Sequence, residues 1–239
     1  MAIKPILFNT EMVRAILDGR KSCTRRICKD ANEYTVPDMD FYNADRRTYA
    51  VHNFSDKEHT EQLSIAERTC PICPGDILYV RETWQYLYEL DGNEQVIEDT
   101  GKYYYAATDT IPFDIYVDEN GVKHDHAPWR PSIHMPKEAA RIWLKVTDVR
   151  VERLQSITVE GAIREGAEGE KCHHTNAGAF GCTDCMNTGW IEPPQVEFMQ
   201  IWDSTIKKSD LDRYGWDANP YVFVIEFVKI DKPEEIQNA

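Results

Sequence analysis

Apolar positions recur at the helical period near the start of the chain. Met12, Val13, Ile16 and Leu17 share one face. Asn9 or Thr10 stands where a cap belongs, the spacing predicts a helix to about Asp18, and Gly19 ends it. A short strand or extended turn follows over 20–28. Residues 29–68 are polar with no strong period, which reads as an insertion or long loop. After the Pro74-Gly75-Asp76 turn, Ile77 to Val80 reads as a buried strand. Tyr103 to Ala106 reads as another, between acidic turn regions at 89–101 and 109–128, the latter with a turn at Glu119-Asn120-Gly121. Prolines 131 and 136 bracket a rigid, non-helical segment, Trp129 to Pro136. Ile142, Leu144 and Val146 alternate with other residues, and Val149 and Val151 continue the pattern. This predicts a long strand or a hairpin.

Thr158 can cap a short helix to about Glu165, with Val159, Ala162 and Ile163 inward and Gly166 as its stop. Residues 167–192 are rich in Gly and Cys and read as an insertion. Pro193-Pro194 opens a helix carrying Val196, Met199, Trp202 and Ile206. Asn219-Pro220 turns into a last strand over 221–230, apolar on both faces except at Glu226 and so predicted to be central. Strands outweigh short helices, which predicts an α+β fold on a curved or closed sheet, one domain over 1–239 with insertions at about 29–68, 85–128 and 167–192.

Composition narrows the function classes. The 239 residues hold enough apolar and aromatic mass for a real core, which excludes a disordered chain. The longest apolar run, Tyr221 to Ile225, is far below the roughly 20 residues of a membrane-spanning helix. No signal peptide is read at the start, so the expected location is cytoplasmic with no membrane partner. With 27 Lys+Arg against 41 Asp+Glu, the net charge of −14 opposes non-specific binding of long nucleic acid. Local basic clusters remain compatible with a nucleoside, a nucleotide or a short RNA element. Arg20, Lys21, Arg25 and Arg26 form one such cluster.

Four segments carry candidate chemistry. In Gly19 to Arg26, a bend can bring Lys21 near Thr24, and a desolvated lysine can take the proton of a Thr hydroxyl. The alternative is a solvated basic turn. Glu165 sits at a helix C-terminus, where the dipole disfavours a carboxylate, so it needs a basic partner or a purpose. Arg130 and His134 on the proline-stiffened segment can line a pocket with Trp129 as a stacking platform, or Trp129 can fill the core. Seven cysteines, without a secretion signal, point to thiols or metal ligands rather than a disulfide framework. Cys182 and Cys185, with Cys172 and His173 or His174, have the spacing of a structural zinc knuckle, taken here as Cys172, His174, Cys182 and Cys185. A competing set is Cys70, Cys73, Cys182 and Cys185. No organic cofactor is expected.

Together these segments resemble the ASCH domain family of the PUA-like group. The resemblance rests on Ala15 to Arg26, Gly75 to Glu82, Leu154 to Gly166 and Tyr221 to Phe227, in that order. Trp84, the Trp129 to Pro136 segment and Trp202-Asp-Ser resemble a longer subgroup common in phages and prophages, which implies a bacterial host cell. The resemblance implies a small β-barrel flanked by short helices, with a cleft that binds RNA or a modified base. One branch of small ASCH proteins hydrolyses the N4-acetyl group of acetylated cytidine, and its Lys, Thr and Glu fall here on Lys21, Thr24 and Glu165. Arg20, Arg26, Arg81, Trp84, Trp129, Arg130 and His134 are the expected substrate-binding residues. The chain is thus expected to bind a modified nucleoside or RNA element and to act as an N-acyl amidohydrolase. The alternatives are a non-catalytic binding module, a ribonuclease using His134, or a phage structural or interaction protein.

Overall fold

The computed structural model describes residues 1–93, 95–111, 116–118, 121–124, 127–173, 185 and 188–234. Its strands are β1 (Ile3–Leu7), β2 (Cys23–Ile27), β3 (Thr35–Asn43), β4 (Thr48–Phe54), β5 (Gln62–Thr69), β6 (Ile77–Arg81), β7 (Trp84–Leu87), β8 (Lys102–Tyr105), β9 (Tyr116–Val117), β10 (Lys123–His124), β11 (Trp143–Arg153), β12 (Glu170–Lys171), β13 (Trp190–Glu192) and β14 (Tyr221–Ile230). The helices are α1 (Thr10–Leu17), α2 (Val159–Arg164), α3 (Pro194–Thr205) and α4 (Leu211–Tyr214). The fold is therefore α+β, mostly strands with few short helices. No helix among the described residues is long and apolar enough to cross a membrane. The longest sheet has the order β1-β6-β11-β14-β2. That order has two ends, so the sheet is open and not the closed barrel that the resemblance implies.

The chain divides into two compact units. The first comprises Met1–Gly19, Asp76–Lys145 and Lys229–Ala239. Here β1 runs parallel to β6, and the start of β11 pairs antiparallel with β6. The Asn9 side chain accepts from the Met12 amide and starts α1, while Gly19 leaves it at φ 77°. Its core gathers Ile77, Tyr79, Trp84, Met135 and Trp143. The proline-bracketed segment is not irregular throughout: Ser132–His134 is one 3-10 turn, the tightest helical form that fits between Pro131 and Pro136.

The second unit comprises Arg20–Gly75 and Val146–Val228. β2 pairs antiparallel with β14, and β14 is central as its two-sided apolar pattern predicts. The Thr158 hydroxyl accepts from the Gly161 amide and starts α2. Leu154, Ala162, Phe198, Trp202, Val222 and Val224 form the core between α2, α3 and β14. Residues 29–68 overturn the expectation of an irregular loop, since β3, β4 and β5 form a three-stranded antiparallel sheet across 35–69. Only Tyr49 to Val51 of β4 are buried side by side, and β5 is exposed at nearly every position, so no period-2 signal reaches the sequence. Ile163 is another correction. It is 39% exposed rather than inward, and only Ala162 of that trio is fully buried.

Candidate functional site

The second unit collects charged side chains where apolar packing would be expected. β2 begins as the chain leaves the Arg20-Lys21-Ser22 segment, and α2 ends opposite it. Two backbone bonds and a strand pairing fix this approach: the Ser22 amide donates to the Arg164 carbonyl at 2.9 Å, the Phe227 amide donates to the Ser22 carbonyl at 3.0 Å, and β2 is zipped to β14 from Cys23 onward. Lys21 is 3% exposed and Glu165 8%. The Lys21 Nζ donates to Glu165 Oε2 at 2.5 Å and to the Glu165 carbonyl at 2.8 Å. This resolves the placement of a carboxylate at a helix C-terminus, because the cation there answers both the side chain and the orphan carbonyl.

Arg25 completes the surroundings of Glu165. Its NH1 donates to Oε1 at 3.2 Å, and its NH2 lies 3.6 Å from Glu152. The Arg25 Nε is buried with no hydrogen-bond partner. Burial first, and Glu165 second, push the Cys23 thiol up to about 11, so it is a neutral thiol at pH 7. Further along, Arg164 forks onto Glu226 at 3.0 and 2.7 Å and donates to the Ser22 hydroxyl at 3.2 Å. Arg150 reaches Glu226 and Glu152, each at 2.5 Å. The hydrogen bond from Arg164 holds the Glu226 carboxyl below its ordinary 4.5. Sequence reasoning missed Arg25, Glu152, Arg150 and Arg164 as members of one network. The visible signal was Glu226, the one charge inside the apolar run of β14.

Thr24 is 1% exposed, and its Oγ1 accepts from Arg26 NH1 at 2.9 Å. Alternation along β2 puts Thr24 and Arg26 on one face and Cys23 and Arg25 on the other. Desolvation lowers the Arg26 pKa from its ordinary value. Thus Lys21 is joined to Glu165, and Thr24 to Arg26.

Beside the C-terminal turn of α2 is an open cleft of about 380 Å³, lined by Arg20, Ile163, Ala167, Glu168, Lys171 and Trp190. Of these, only Arg20 was singled out by the sequence. It donates to the Gly166 carbonyl at 3.3 Å and pairs with Glu168 at 3.0 Å. The signal for the rest was Trp190, a large aromatic in a segment poor in apolar residues.

Arg81, Trp84, Trp129, Arg130 and His134 belong to the first unit. Trp84 and Arg130 exchange backbone hydrogen bonds at 3.2 and 2.8 Å, and the Arg130 guanidinium lies 5.5 Å from the centre of a Trp84 ring. Arg81 donates to the Ile133 carbonyl at 3.1 Å, one residue from His134. Trp84 is buried, which makes it core rather than an open platform, whereas Trp129, Arg130 and His134 are exposed. No family model, curated protein or solved structure matches the chain.

Two of the four expected zinc ligands, His174 and Cys182, lie outside the described residues. Cys172 and Cys185 lie within them. The Cys172 amide donates to the Gly189 carbonyl at 3.0 Å and the Thr188 amide to the Cys185 carbonyl at 2.8 Å. Among the described residues no group of three or more His, Cys, Asp or Glu is placed to hold a metal. In the competing set, the Cys70 and Cys73 thiols are buried and donate to the Ile72 and Cys70 carbonyls at 2.8 and 3.4 Å.

Proposed function

We propose that the chain is an ASCH-type, PUA-like protein that binds an N-acylated nucleoside and hydrolyses its acyl group. The observation that carries this reading is the buried Lys21–Glu165 pair, made by residues 144 apart. A buried ion pair is a poor stabiliser, because desolvating two charges offsets their attraction. Here it also leaves the Arg25 Nε unpaired, a defect that a purely structural clip would gain by removing.

In the proposed reaction the Thr24 hydroxyl oxygen attacks the amide carbonyl carbon. Lys21 in its neutral form takes the hydroxyl proton, and Glu165 orients its Nζ through their 2.5 Å bond. The proton taken from Thr24 goes to the departing amine nitrogen, which leaves as the free nucleoside. Water then cleaves the acyl-threonine ester and releases the acid. Arg26, already donating to Thr24 Oγ1, supports the charge that develops there.

A non-catalytic binding module is the second reading. Thr24 and Arg25 lie on opposite faces of β2, which favours a cluster that only binds. Turnover of N4-acetylcytidine by the wild type, Lys21→Ala and Thr24→Ala proteins separates the two. Hydrolysis requires cytidine release by the wild type and loss of at least a hundredfold in both variants. Binding without release leaves the module. For the metal, the proposal is structural zinc at Cys172, His174, Cys182 and Cys185, supported by the backbone bonds that close β12 and β13 around Cys172 and Cys185. One zinc per chain by elemental analysis, lost in Cys185→Ser, is the expected result. Full zinc retention in that variant rejects this ligand set.

A further inference from the structure

The cleft at the end of α2 is built from parts that the Lys21–Glu165 pair does not use. Trp190 and Lys171 are directly opposite each other in the β12-β13 pairing, and the Lys171 Nζ lies 5.5 Å from the centre of a Trp190 ring. One wall is rigid. Glu197, in the first turn of α3, accepts from the amides of Glu168 and Gly169 at 2.7 and 3.0 Å. Gly169 has φ 64°, and a Cβ there would meet the Glu192 carbonyl and the Pro194 nitrogen at 2.7 Å, so only glycine fits. The opposite wall is Ile163, whose exposure places an apolar side chain at the cleft. Arg20 and Lys171 against Glu168 leave one net positive charge at the cleft, with Arg20 held in place by Glu168, on a chain of net charge −14. Its volume suits a small ligand rather than a protein segment.

A flat aromatic wall, an apolar side chain and two cations together select a planar ring bearing an anion. We propose that this cleft binds a nucleoside monophosphate, with the base against Trp190 and Ile163 and the phosphate held by Lys171 and Arg20. The indole face stacks the base, and the phosphate supplies the selectivity over an uncharged nucleoside. The inference deepens the proposed function by making the phosphorylated form, free or at the end of an RNA, the preferred ligand of the same unit.

Titration calorimetry of the full chain with cytidine 5′-monophosphate, cytidine, inorganic phosphate and benzoate tests it. The monophosphate should bind at least about tenfold tighter than each of the others. Lys171→Ala should remove most of that advantage, Trp190→Ala should weaken monophosphate and cytidine alike, and Trp190→Phe should keep part of the affinity. Raising the salt concentration should weaken the three anions and leave cytidine unchanged. Equal affinity for cytidine and its monophosphate overturns the proposal. So does tighter binding of benzoate, or unchanged affinity in both alanine variants with native circular dichroism. Monophosphate binding without N4-acetylcytidine turnover removes the hydrolase and leaves the cleft. Turnover without monophosphate binding removes the cleft alone.

Discussion

Each unit buries a carboxylate against cations, and the two do it differently. In the first, Glu82 is 1% exposed and meets a single arginine: Arg141 Nε and NH2 donate to its two oxygens at 2.8 and 2.9 Å. The remaining arm of Arg141 donates to Thr108, and its guanidinium lies 4.0 Å from the Tyr105 ring centre. That is a closed, charge-neutral clip in which both carboxylate oxygens and all three guanidinium nitrogens are hydrogen-bonded. In the second, Glu165 divides its two oxygens between Lys21 and Arg25, and Arg25 also borrows Glu152. Glu165 there is shared by two cations whose side chains are almost wholly enclosed, and Glu152 supplies the second negative charge. The first arrangement is what stability alone produces. The second encloses two cations around one shared carboxylate and leaves the partly exposed Glu152 to complete the balance, an arrangement more costly to desolvate than the first.

The sharpest way to break this comparison is to delete both carboxylates. Glu165→Ala strands Lys21 and Arg25 and should cost about 3–5 kcal/mol in urea unfolding. Glu82→Ala strands only Arg141, which is partly exposed and can turn to water, and should cost about 1–3 kcal/mol. An equal or reversed order would make the two sites alike. Next in size is Lys21→Met. Arg25 still neutralises Glu165 there, so the loss should be about 1–3 kcal/mol and smaller than for Glu165→Ala.

Acid should then separate the units further. The Glu226 carboxyl is held below 4.5 by Arg164, so its contribution is complete above that value and is lost as pH falls through the lower, folded one. Glu226→Gln should flatten the acid limb of the thermal stability curve below pH 4.5. A limb as steep as the wild type's would remove the network from the explanation. The smallest effect is on Cys23. Burial and Glu165 keep its thiol neutral until about pH 11, so iodoacetamide should spare it at pH 8 in the native protein. Native-state alkylation of Cys23 at pH 8, read by peptide mass, would contradict the enclosure of the whole cluster.

Much of the scaffold was legible in the sequence, for local reasons. Asn9 and Thr158 announce α1 and α2 because a cap acts within three residues. β14 is legible because a central strand is apolar on both faces. β3 to β5 were not, since their sheet buries too little of itself to impose a period. For the site, residue types were readable and partners were not. Lys21 and Glu165 entered together only through a family resemblance, since a sequence separation of 144 hides the contact from any spacing argument. Arg164 carries no signal of its own in the sequence, and its fork reaches across to Glu226.

The pairing of β2 with β14 also sets a schedule for the birth of the protein. Thr24 finds its ladder partner in Ile225, roughly 200 residues later in translation. At about 5–20 residues per second, a ribosome leaves β2 waiting tens of seconds for the strand that completes it. Throughout that interval the segment carrying Lys21 and Thr24 is an open edge in a crowded cell. The acidic stretches already synthesised would then serve a second purpose, keeping nascent copies apart by mutual repulsion until the last strand arrives.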